Sequence, residues 1–173
     1  MEREEAYSKA AKHLTEYLTE RGLKKSQERY MVLEAACRAD GMFTAADIHD
    51  YITATMNFHL SLSTVYSTLE LLTTCGIMVE HFLSPRNVKF EYALGRTAFK
   101  YMICSDCGKI TAIHDRTIDR VVSAVKTPRL HVKYYKTYIY GTCASCAKKE
   151  KNKLRKTNLQ DKNLQDKDEK RQS

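Results

Sequence analysis

Leu60-Ser-Leu-Ser-Thr-Val-Tyr-Ser-Thr-Leu-Glu-Leu-Leu72 runs through Thr73 and Thr74 into Cys75-Gly-Ile-Met-Val-Glu-His81, and along it the hydrophobic period changes. Leu62, Val65, Leu69 and Leu72 recur at helical spacing, with Ser61 placed to cap the helix and Gly76 to end it. After Gly76 the period is two. Ile77–Phe82 and Val88–Tyr92 flank the turn cluster Ser84-Pro85-Arg86-Asn87, and the three together read as a β-hairpin. The outward positions of the helix are Ser63, Thr64, Tyr66 and Ser67. Their hydroxyls and phenol suit contacts with phosphates, base edges or thymine methyls, although Tyr66 reads equally well as a merely exposed aromatic.

Three further helices precede this one. Tyr7, Ala11, Leu14 and Leu18 form a stripe that stops at Arg21-Gly22. Ser26 is placed to cap a second helix, whose Tyr30, Leu33 and Cys37 share a face with Val32 and Ala36 beside them. Thr44-Ala-Ala-Asp47 is a capping box with Asp in place of Glu, opening a third helix through Ile48, Tyr51 and Ile52. Short helices followed at once by a hairpin are the order of a winged helix-turn-helix, whose last helix before the wing enters the major groove.

The second half carries the strongest chemical signal. Cys104-Ser-Asp-Cys107 and Cys143-Ala-Ser-Cys146 are two CxxC pairs that together can complete a tetrahedral sulfur shell, which suits zinc. The stretch between the pairs exceeds ordinary zinc-finger spacing, so it must hold structure. A strand over Lys109–Ile113, a helix over Thr117–Lys126 and a strand over Val132–Tyr140 fit the pattern. A redox dithiol is the competing reading, but one CxxC would serve it and the second pair would be superfluous. A closed shell of four thiolates leaves no open position, so this zinc is expected to hold the fold and not to catalyse.

Composition narrows the field. The chain has 173 residues, 43% of them hydrophobic and 29% charged, which is an ordinary globular balance. No run of hydrophobic residues exceeds four, so no membrane span is expected. Met1–Lys12 carries Glu2, Glu4 and Glu5 and no apolar core, unlike a secretory signal. Six cysteines in a chain without an export signal read as cytoplasmic thiols or metal ligands. No serine–histidine–aspartate order, glycine-rich phosphate loop or hydrolase motif is present, so no enzyme is expected. The six histidines show no close paired spacing, and Cys37 falls on an apolar face. Cys75, beside the Gly76 cap, is the one thiol outside the pairs with a claim to sensing.

Of the net charge of +8, residues 148–173 supply +5, with ten basic and five acidic side chains. That segment repeats Asn-Leu-Gln-Asp-Lys in tandem and is nearly devoid of apolar residues. It reads as a disordered basic tail or a frayed helix. The organisation expected is therefore residues 1–94, 95–147 and the tail 148–173, an α+β chain with a modestly basic body suited to a polyanion.

Gly22–Leu33, Leu60–Leu72, Cys75–His81, Tyr101–Ile110 and Tyr138–Cys146 together resemble the ferric uptake regulator family, over roughly Leu14 to Ala147. The resemblance implies a homodimeric metalloregulator that binds double-stranded operator DNA, with an N-terminal winged helix and a C-terminal α/β dimerisation domain. It also implies that Tyr66 contacts bases, that Lys24 reaches the DNA from the first connecting loop, and that Cys104, Cys107, Cys143 and Cys146 hold one structural zinc per subunit.

The departures from the family pattern fall on the sensory site. Where a histidine-rich run is expected before the first CxxC, this chain has Ala98, Phe99, Lys100 and Tyr101. Met42 and Tyr135 stand where two further ligand histidines are expected, and Ser67 where an arginine is usual. Of the regulatory ligands implied, Glu91 and Asp119 remain, and two carboxylates make no tight Fe²⁺ or Mn²⁺ site. Sensing of iron or manganese is therefore expected to be absent or altered. A second metal or haem would have to act elsewhere, and no motif locates such a place.

Overall fold

The computed structural model describes residues 2–56, 58–84, 87–125, 129 and 131–153. The chain divides into two units, Met1–Arg96 and Thr97–Ser173, a boundary two residues beyond the one the sequence suggested.

The first unit is four helices and a hairpin: α1 (Glu2–Glu20), α2 (Gln27–Arg38), α3 (Ala45–Thr55), α4 (Leu62–Thr74), β1 (Met78–Ser84) and β2 (Asn87–Tyr92). Leu14 and Leu18 of α1 meet Val32, Leu33 and Ala36 of α2, Ile48 and Ile52 of α3, and Val65, Leu69 and Leu72 of α4 in one buried core. Local chemistry sets the ends of the elements. The Thr44 hydroxyl accepts from Asp47 N–H at 3.1 Å while the Asp47 carboxylate accepts from Thr44 N–H at 2.7 Å, the reciprocal capping box. Gly76 ends α4 at φ 79°, a left-handed conformation in which a side chain would be strained. The hairpin gains a third backbone partner in Phe43, which exchanges two hydrogen bonds with Phe90 at 2.9 and 2.7 Å.

Three local expectations are corrected here. Ser26 sits at the start of α2, but its side chain makes no capping hydrogen bond. Leu62 is exposed and not inward, because it lies in the first turn of α4, before the helix has packed; Thr68 takes the core position, its hydroxyl donating to the Thr64 carbonyl at 2.8 Å. Cys75 is buried, its thiol directed at the Leu72 carbonyl, and burial pushes the thiol pKa up, which removes the reactivity that sensing requires.

The second unit holds a three-stranded sheet in the order β4-β3-β5 and the helix α5: β3 (Ala98–Cys104), β4 (Ile110–Ala112), α5 (Thr117–Ala124) and β5 (Tyr135–Gly141). The strands and helix anticipated over 109–140 are present but shorter, and β3 was read only for its missing ligands. Its alternation is nonetheless in the sequence. Phe99, Tyr101 and Ile103 are buried while Lys100 and Met102 lie on the other face. A helical stretch over 144–153 begins within the second CxxC, so the first residues of the basic tail are helical; the rest of the tail lies outside the described residues. Pro85, Arg86 and Lys126 lie outside them as well.

Candidate metal centre and nucleic-acid interface

Parallel pairing of β3 with β5 builds the sulfur cluster. Cys104 is opposite Gly141 in the register, so each strand delivers a CxxC turn to the same end of the sheet. The first turn is closed by the Gly108 N–H donating to the Cys104 carbonyl at 2.9 Å, with Gly108 at φ 71°. The second opens the helical stretch over 144–153, where Ala147 N–H donates to the Cys143 carbonyl at 2.9 Å. The four cysteine sulfurs lie within 4.8 Å of one another. They form the one group of three or more metal-ligating side chains among the described residues.

The cluster is built for charge. Backbone N–H groups of Cys143 and then Cys107 pull the Cys104 thiol down to about 6, and the Cys143 N–H···Sγ contact is 3.3 Å. Cys143 is lowered too, chiefly by the N–H of Cys146. Cys146 moves the other way, pushed up to about 12 because it hydrogen-bonds its neighbours Cys143 and Cys107 and stays the shared proton donor. Four converging sulfurs cannot all ionise unaided. A divalent ion supplies the missing positive charge, and an all-sulfur tetrahedral set fits zinc.

The two carboxylates left from the implied sensory site are each engaged within their own unit. Glu91, buried in β2, meets His81 Nε2 at 3.0 Å through one oxygen and the Arg96 guanidinium through the other. Asp119 on α5 meets the Lys100 ammonium and the Tyr135 phenol. The structure brings neither into a cluster with a third metal-ligating side chain among the described residues. Sequence reasoning missed both partnerships, since it took Lys100 only as one of the residues replacing a histidine-rich run and His81 only as one more histidine without paired spacing.

On α4, Ser63, Tyr66 and Ser67 are exposed and Thr64 is half-buried. Tyr66 is 44% exposed, an aromatic ring left standing beside a buried Val65. The Ser61 hydroxyl is within 2.8 Å of those of Ser63 and Thr64, so the start of α4 presents a cluster of three hydroxyls. An open cleft lies between the starts of α2 and α4, lined in part by Ser26, Arg29, His59, Ser61 and Ser67. Lys24 is exposed in the loop before α2, and its carbonyl accepts from the Arg29 guanidinium, which fixes the loop. The Arg29 and His59 contributions to this cleft were missed; the stretch Asn57-Phe-His-Leu60 gives no periodic signal.

A winged helix followed by a small α/β unit closed by four thiols defines a DNA-binding regulator architecture with a built-in metal site. The sequence profile of the ferric uptake regulator family matches residues 20–140, and the chain belongs to that family. It is 28% identical over 140 residues to the peroxide operon regulator of Bacillus subtilis, covering 80% of this chain and 94% of that one. It is 29% identical over 140 residues to the ferric uptake regulation protein of Campylobacter upsaliensis, covering 79% and 88% respectively. Among solved structures, the ferric uptake regulator of Helicobacter pylori superposes with a TM-score of 0.67 at 22% identity, covering 82% of this chain and 93% of that one. A zinc uptake regulator complexed with zinc and DNA superposes at 0.52 and 19% identity, covering 87% and 98%.

Proposed function

We propose that this chain is a homodimeric, cytoplasmic, sequence-specific DNA-binding transcriptional regulator and not an enzyme. In this reading residues 1–94 bind operator DNA, residues 95–147 dimerise, and Cys104, Cys107, Cys143 and Cys146 hold one structural zinc per subunit. The observation that carries it is the exposed hydroxyl and phenol face of α4 directly ahead of the β1–β2 hairpin, in a member of this family. Relatives support it in kind. A zinc uptake regulator of the same fold is known in complex with zinc and DNA, and the Helicobacter pylori regulator has three functional metal-binding sites.

Tyr66, Ser63, Thr64 and Ser67 are assigned to the operator and Lys24 to a flanking phosphate. Tyr66→Ala is expected to weaken operator binding by about 1–3 kcal/mol while leaving random DNA nearly unaffected. Lys24→Ala is expected to weaken both alike and to lower the slope of log affinity against log salt by about one. A gel-shift titration across salt concentrations reads both effects. Equal loss on operator and random DNA for Tyr66→Ala argues against base readout.

A second reading, a zinc-stabilised thiol protein with redox work, draws on Cys104 being pulled down to about 6 and on the exposure of Cys107. Zinc stoichiometry measured with and without oxidant separates the two. A regulator of the kind proposed keeps its zinc and its operator affinity under mild oxidation; a redox protein releases zinc as its cysteines pair.

A further inference from the structure

Helix α5 contributes no buried residue to its unit, and Val121 on it is 63% exposed, so apolar packing does little to hold it. Ile118 and Val122 are only half-buried, and a polar cluster around one ammonium supplies the specific contacts. Lys100 lies in the middle of β3 with its side chain only 9% exposed. Its Nζ donates to both carboxylate oxygens of Asp119, at 2.8 and 2.7 Å, and to the Asp115 carbonyl at 2.6 Å. The Tyr135 phenol, from β5, donates to the same carboxylate. Asp115 in turn accepts the Thr117 N–H through its own carboxylate at 2.5 Å, which starts the helix. The strands β3 and β5, the loop before α5 and α5 itself thus meet at one positive charge.

Three oxygens at 2.6–2.8 Å, two of them from an ionised carboxylate, are the kind of surroundings a hard metal cation selects. Here the cation is covalently part of the chain. We propose that this is a cation site the protein fills itself, with the Lys100 ammonium as resident ion, so that α5 is fixed to the β3–β5 sheet without a second, exchangeable metal. The hydrogen bonds from Lys100 and then Tyr135 hold Asp119 below the usual carboxylate range, so its charge persists through the neutral range. A tethered ammonium competes at a far higher effective concentration than an ion free in solution, and a divalent ion entering beside it meets like charge. In the other unit the pattern recurs, with the Arg96 guanidinium on the Glu91 carboxylate. The inference concerns the regulation of the proposed DNA-binding protein and rests on that reading for its biological sense, not for its chemistry.

The test uses the full-length, zinc-loaded chain with Mn²⁺ as the probe. Metal content and amide hydrogen exchange over 117–124 are read together, with the β1–β2 amides as an internal reference. Wild type is expected to take up no Mn²⁺ at micromolar free ion and to show the same α5 exchange with and without it. Lys100→Met is expected to speed α5 exchange roughly tenfold while the reference amides hold, and Lys100→Arg, which keeps the charge, to speed it far less. Lys100→Asp is expected to bind one Mn²⁺ per chain and to recover slow exchange only when the ion is present. One Mn²⁺ bound per wild-type chain with slower α5 exchange overturns the proposal, and that measurement needs no variant to fold. Unchanged α5 exchange in Lys100→Met, or no Mn²⁺ uptake by Lys100→Asp, overturns it as well. Gel shifts on the same samples keep the two readings apart: loss of operator binding with these results intact counts against the regulator and leaves the cation site standing.

Discussion

Cys143→Ser is expected to lower the melting temperature of the C-terminal unit by at least roughly 10 °C and to dissociate the dimer, with operator binding lost as a consequence. The reason lies in where the sulfurs come from. Cys104 ends β3 and Cys107 follows it, Cys143 follows β5, and the crossover between those strands contains β4 and α5. An ion held by all four fastens both ends of that crossover at one point, and its binding free energy is in large part folding free energy. The unit has little else to rely on. Met102, Val121, Ile139 and Tyr140 are exposed, and among the described residues its buried apolar side chains come from β3. Structural zinc contributes on the order of 10 kcal/mol in small peptides. Losing even about 3 kcal/mol of this shifts the melting temperature of a 60–100-residue unit by roughly 12–24 °C. Cys104→Ser is expected to act alike, and chelation of wild type should reproduce both. Differential scanning calorimetry with zinc analysis and sedimentation checks it; a zinc-free dimer melting at the wild-type temperature would sink the structural assignment of the four cysteines.

The parts of the molecule legible in its sequence are those where one physical signal dominates. The switch from helical to alternating period at Gly76 places α4 and the β1–β2 hairpin, because backbone geometry and burial both follow that period. Capping by Thr44 and Ser61 was legible because a side-chain oxygen three residues ahead of an orphan N–H is a local arrangement. The paired CxxC turns were legible because two thiolate pairs have few other uses. Long-range pairing hid the rest. Nothing in the spacing says that Lys100 pairs with Asp119, or His81 with Glu91, since those partners are brought together by register and crossover. The family resemblance singled out Glu91, Lys100, Asp119 and Tyr135, but not the pairing among them or the His81 contact. A lysine on the side of a strand opposite its buried residues reads as solvated until α5 is laid over it.

Glu91→Ala is the variant that separates a sensory ligand from a structural one, and the structure predicts a large stability loss with no effect on metal uptake. The Glu91 side chain is 6% exposed and the His81 side chain is not exposed at all. Removing the carboxylate takes a 3.0 Å contact from a fully buried imidazole and one contact from Arg96, whose guanidinium still donates to the Tyr92 carbonyl. Leaving a buried polar group without a hydrogen-bond partner typically costs about 1–3 kcal/mol. The Arg96 side chain is 45% exposed, so its share adds little. A loss of about 1–3 kcal/mol corresponds to roughly 4–24 °C in melting temperature for a unit of this size. Glu91→Gln, which keeps an oxygen for His81, is expected to lose less. Alongside, anaerobic titration of the zinc-loaded dimer with Fe²⁺ or Mn²⁺ should raise neither metal content nor operator affinity, in wild type or in Glu91→Ala. An ion that does not bind one state in preference to another shifts no equilibrium. The contrary result is clear-cut: one equivalent bound per subunit at micromolar free metal, with tighter operator binding that Glu91→Ala abolishes at unchanged melting temperature. That would make Glu91 a metal ligand and its contacts with His81 and Arg96 the resting state of a sensor.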